Sequence, residues 1–61
     1  MKNSEIRTLI DEYEHKEVYR NMLKEKFLDG VTYEALSDKY HYSISTVKRI
    51  ARNFVATIND I

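Results

Sequence analysis

Residues 32–50, TYEALSDKYHYSISTVKRI, carry two apolar stripes at helical spacing with a turn between them, and their division decides the fold. Thr32 precedes the first stripe, and its hydroxyl can accept from a backbone amide two or three residues on. Glu34 follows in the first turn, where the helix dipole favours a carboxylate. Ser43 repeats the capping signal, and Ile44, Val47, Ile50 or Ala51, Phe54 and Ile58 continue at helical spacing. The pattern predicts a helix from about Tyr33 to Lys39 or Tyr40 and a longer one starting near Ser43.

Upstream, Val18 or Tyr19, Met22, Leu23 and Phe27 form another stripe, ending in FLDGVT, where Gly30 can take the left-handed conformation of a helix C-terminal cap. A first helix, capped by Asn3 or Ser4 and with Glu5 near its positive end, carries Ile6, Leu9, Ile10 and Tyr13 on one face. Extending that face reaches Lys16, Glu17 and Arg20, all polar, so a break is expected at residues 14–17. Proline is absent and Gly30 is the single glycine, which favours helices throughout. The expectation is an all-α bundle of about four helices. Residues 1–61 form one domain, in which 1–16 serve packing or dimerisation and 18–61 form the core with its extended last helix.

A chain of 61 residues buries only about 60% of its unfolded surface, which disfavours a catalytic cleft. It has no cysteine, so disulfides and thiolate metal sites are excluded. No apolar run approaches the roughly 20 residues of a membrane span, and MKNSEIRTLIDEYEHK lacks the apolar centre of a signal peptide, so a cytoplasmic protein is expected. The net charge of zero hides an asymmetry: residues 1–38 hold nine acids and six bases, residues 39–61 one acid and four bases. From Lys39 to Asn59 the charged side chains are Lys39, Lys48, Arg49 and Arg52, enough for a local positive field. Lys48 and Arg49 fall in the first two turns of their helix, where the dipole disfavours bases, so helix stability does not account for them.

Two helices joined by a short turn, the second with hydroxyls and bases on its free face, follow the plan of a helix-turn-helix. Residues 33–50, YEALSDKYHYSISTVKRI, resemble the helix-turn-helix of the C-terminal DNA-binding region of bacterial sigma factors and of small phage and bacterial transcriptional regulators. With FLDGVT the likeness covers about half the chain. Leu36 and Tyr40 match the inward positions of the first motif helix, Ser37 the small position, Tyr42 the apolar position after the turn, and Val47 and Ile50 the inward positions of the recognition helix. His41 departs from the pattern, standing where glycine is usual and a left-handed backbone is expected.

The resemblance implies sequence-specific binding of double-stranded DNA by a small regulator of phage or mobile-element type. Ser43, Ile44, Ser45, Lys48 and Arg49 would face the major groove, with Arg52 a turn further. Tyr33, Lys39 and Thr46 are better placed for the DNA backbone. One recognition helix makes few contacts, so a homodimer is expected, formed through Ile6, Leu9, Ile10 and Tyr13 with Phe54, Val55 and Ile58. The alternative, motivated by the acidic N-terminal half, is a protein-interaction module that modulates another regulator, a polymerase subunit or a nuclease.

Other features read more plainly. Tyr13, Tyr19, Tyr40 and Tyr42 fall on inward stripes, so of the five tyrosines only Tyr33 is expected to be free. His15 and His41 lack partners at metal-ligand spacing, and no metal or cofactor is expected. Glu12, Glu14 and Glu17 read as a solvated face because a catalytic pair needs a pocket to shift its pKa values. With no nucleophile signature or glycine-rich phosphate loop, an enzyme is not expected.

Overall fold

Thr32 and Ser43 both start helices through their hydroxyls. Thr32 Oγ1 accepts from the Ala35 amide at 3.1 Å, and Ser43 Oγ accepts from the Thr46 amide at 3.1 Å. A computed structural model describes residues 2–60. It contains four helices: α1 Asn3–Tyr13, α2 Glu17–Phe27, α3 Tyr33–Tyr40 and α4 Ile44–Asn59. The described residues form an all-α bundle measuring 30 × 20 × 18 Å.

The break between α1 and α2 falls where the apolar stripe runs out, with Glu14 and Lys16 both in extended conformation. Glu14 Oε1 accepts from the Lys16 amide at 3.1 Å, giving one otherwise free donor at the start of α2 a partner. The start of α1 differs from expectation. Lys2 holds the cap position without a side-chain bond, and its carbonyl already accepts from the Glu5 and Ile6 amides at 3.0 and 3.1 Å. Asn3 and Ser4 therefore lie inside the helix, one and two residues too late to cap it.

Gly30 has φ 74°, the left-handed region anticipated for it, but it lies beyond the helix end rather than beside it. Phe27 is the last helical residue and Leu28 keeps right-handed helical angles. The Val31 amide donates to the Glu25 carbonyl at 3.1 Å and closes the turn into α3. The second left-handed residue is His41, with φ 60° and ψ 35°, between α3 and α4. Ser37 Oγ donates across this turn to the Tyr42 carbonyl, so the small residue at 37 is a hydroxyl that ties α3 to the segment after it.

The core is built from Ile10 of α1, Met22 and Leu23 of α2, Leu36 of α3, and Val47, Ile50, Ala51 and Phe54 of α4. Half of these residues belong to α4, which therefore serves as the packing surface for the others. Helices α1 and α3 pack directly on it, while α2 reaches it through Phe27 and Phe54, whose ring centroids are 6.0 Å apart. Tyr42 meets Tyr19 edge to face at 6.2 Å and anchors the turn on α2.

Helix α1 thus packs within its own chain. Ile10 and Phe54 are buried there and are not available to a second subunit, while Ile6, Leu9 and Ile58 pack half-buried around them. Tyr13 and Val55 depart from the expected inward stripe, with 41% and 37% exposure. Tyr13 is the last residue of α1, where the helix gives way to the extended segment at Glu14. Val55 is rotated by about 100° from Phe54 and so falls at the margin of the apolar stripe. Tyr33, read from sequence as free, is half-buried and packs against the core.

His41 is exposed and holds a conformation that costs a β-carbon-bearing residue about 1 kcal/mol or more. His41→Gly should therefore stabilise the fold by about 0.5–1 kcal/mol after allowance for the greater freedom of the unfolded chain. Thermal melting should show a rise of a few degrees, and a lower melting temperature would contradict this account of the turn.

Candidate nucleic-acid interface

The stripe that buries Val47, Ile50, Ala51 and Phe54 also fixes what α4 presents to solvent. Ser45, Arg49 and Arg52 follow one another at spacings of four and three residues on the opposite side, and all are exposed. Lys48 is exposed on the flank of the same surface, and Ile44, at 39% exposure, stands at the helix start. At 1.5 Å per residue this face runs about 10 Å along the axis from Ser45 to Arg52. Among the described residues, Lys48, Arg49 and Arg52 form no ion pair. The face thus presents uncompensated cations, a hydroxyl and a branched apolar side chain.

Other residues expected at this surface are committed elsewhere. Ser43 accepts from the Thr46 amide and donates to Thr46 Oγ1 at 2.8 Å, so its hydroxyl serves the helix start. Thr46 is half-buried beside it. Lys39, expected at the DNA backbone, pairs with Glu25, and its Nζ also lies 5.5 Å from the centre of the Tyr40 ring. Two ammonium groups approach the Tyr33 ring, with Lys26 Nζ 4.2 Å and Lys48 Nζ 5.8 Å from its centre. Beside it runs an open groove of about 330 Å³ lined by Phe27, Tyr33, Lys48, Ala51, Arg52 and Val55.

Glu25 is the polar link between α2 and α3, accepting from both Lys39 Nζ and the Tyr40 hydroxyl. Burial pushes its carboxyl pKa up, but the hydrogen bonds from Lys39 and Tyr40 outweigh that and hold it below its ordinary value. Burial and the adjacent carboxylate push the Tyr40 hydroxyl up to about 12. Neither Glu25 nor Lys26 stands out in the sequence. Glu25 meets Lys39 across 14 residues and Lys26 meets Tyr33 across a loop, separations for which helical periodicity provides no signal.

On the far side, Lys24 bridges α2 to α1 through Asp11 at 2.8 Å, and the hydrogen bond from Lys24 lowers the Asp11 pKa. Glu12 and Glu17 are exposed, while Glu14 is partly covered and bonded to the Lys16 amide. His15 and His41 are both exposed. Among the described residues no group of three His, Cys, Asp or Glu side chains could hold a metal ion, and no helix is long and apolar enough to cross a membrane. Compared with protein-family models, curated proteins and solved structures, the chain matches none.

Because the Glu25 carboxyl pKa is lowered on folding, its contribution is present above the unfolded-state value of about 4.3 and is lost as pH falls below it. Glu25→Gln keeps an acceptor but removes the charge. It should destabilise the fold by about 1–2 kcal/mol near neutral pH and flatten the loss of stability between about pH 5 and 3. Denaturant titrations of both proteins across that range check this, and parallel pH profiles would count against it.

Proposed function

We propose that the protein is a small sequence-specific regulator of phage or mobile-element type that binds double-stranded DNA with α4 in the major groove. The observation that carries the reading is the exposed face of α4, where Lys48, Arg49 and Arg52 stand without ion pairs among the described residues and the sequence has no acid from Lys39 to Asn59. An α-helix fits the major groove, and an Arg or Lys that reaches guanine O6 and N7 discriminates against other bases by roughly 1–3 kcal/mol. In this reading Lys48 and Arg49 contact base edges, Ser45 bonds a base or phosphate, and Ile44 meets a thymine methyl. Arg52 extends the contact by one turn. The likeness of residues 33–50 to sigma-factor and small-regulator helix-turn-helix segments supports the same assignment.

A face about 10 Å long makes few contacts, which favours action as a homodimer on half-sites about 34 Å apart. With Ile10 and Phe54 internal to each chain, such a dimer must use other residues. Selection from a random duplex library should recover palindromic sites. Recovered sites without two-fold symmetry would count against the dimer.

The central test is binding to duplex DNA across a salt series. Affinity should fall with salt at a slope of about −0.9 per neutralised phosphate, and Lys48→Glu with Arg49→Glu should weaken binding at least about tenfold while leaving the fold intact. Absence of binding at low salt, or indifference to the double substitution, would favour the protein-interaction module suggested by the acidic N-terminal half.

A further inference from the structure

Lys26 and Lys48 come from different helices, α2 and α4, yet both ammonium groups lie over the ring of Tyr33, the first residue of α3. The ring is half-buried against the core, so its position is set by packing rather than by the lysines. The two cations can be no further apart than the sum of their distances to the ring centre, and among the described residues neither has a carboxylate partner. The other cations of α2 and α3 that form ion pairs, Lys24 and Lys39, are held by Asp11 and Glu25. The ring's negative face attracts each ammonium, which orients both without neutralising either. Two uncompensated cations from separate helices that converge on one ring concentrate positive charge where one phosphodiester can neutralise it.

From this geometry we propose that Lys26, Tyr33 and Lys48 form a seat for one phosphodiester of the DNA backbone, with α2 supplying a contact beyond α4. The proposal rests on the DNA-binding reading above and adds a contact outside the base-reading face. This moves the Lys48 ammonium, which is turned towards Tyr33 from the flank of α4, from a base edge to the backbone and leaves base reading to Arg49 and its neighbours on the exposed face. Arg52 lines the same groove and is also on the exposed face of α4, so it stays with the base-reading surface. A phosphate held here sets the angle at which α4 enters the groove but carries no sequence information.

The test uses the full chain and two duplexes, one recovered by selection and one of random sequence, with binding measured by fluorescence anisotropy across a salt series. Lys26→Ala should weaken binding about three- to fivefold on both duplexes alike and reduce the steepness of the salt dependence by about one phosphate equivalent. Lys26→Arg should restore both, because a guanidinium keeps the charge and stacks on the ring. Tyr33→Leu should weaken binding in the same sequence-independent way with a melting profile close to that of the parent. If the parent protein binds but Lys26→Ala leaves affinity and slope unchanged, or lowers affinity for the selected duplex alone, the phosphate seat is wrong and the DNA-binding reading stands. If the parent fails to bind either duplex at low salt, both are overturned.

Discussion

The apolar stripe of α4 is the constraint on which the rest of the structure depends. Val47, Ile50, Ala51 and Phe54 form half of the buried core, and the remaining half is one or two residues from each of the other helices. With no cysteine and no long β-ladder among the described residues, the bundle has little besides this packing to hold it. Turning the stripe inward turns Ser45, Arg49 and Arg52 outward, because side chains a helix places on one face cannot share the other. Core and candidate surface are therefore two consequences of a single orientation.

Charge is sorted by the same packing. Where acids and bases meet across helices they cancel, as in Lys24 with Asp11 and Lys39 with Glu25. These pairs lie between α1 and α2 and between α2 and α3, and they help to lock neighbouring helices. The bases of α4 have no such counterpart, and Lys26 faces an aromatic ring instead of a carboxylate. A formally neutral chain thus presents a patch of uncompensated positive charge, since net charge records composition whereas a surface field depends on which charges are close enough to screen one another.

Much of the fold was legible because its signals are local. A capping hydroxyl acts within three residues, so Thr32 and Ser43 mark helix starts without reference to the rest of the chain. The left-handed residues Gly30 and His41 are likewise local requirements of the turns. The end of α1 followed from a loss of periodicity at Glu14 to Lys16. The errors arise where a neighbour outside the local window decides. Tyr13 has the right spacing for the core but stays exposed at the end of its helix, and Tyr33 looks free by periodicity yet packs against the bundle. Lys39 belongs to the basic half by sequence but to Glu25 in space. At Lys2 the backbone bonds alone start α1, so the better capping residues at 3 and 4 fall inside it.

The sequence by itself determined the four helices, the turns between them and the face of α4 that would be buried. Those features depend on the helical period and on bonds spanning a few residues, both of which can be read along the chain. Tertiary structure alone decided that α1 packs against its own chain, that Glu25 holds Lys39 and Tyr40, and that Lys26 and Lys48 both approach the Tyr33 ring. Each is a contact between separate helices, set by how their axes cross and which side chains arrive opposite one another. In residues 32–50, TYEALSDKYHYSISTVKRI, the hydroxyls and apolar residues take their roles from position along the chain, whereas Tyr33 and Lys39 take theirs from partners on α2.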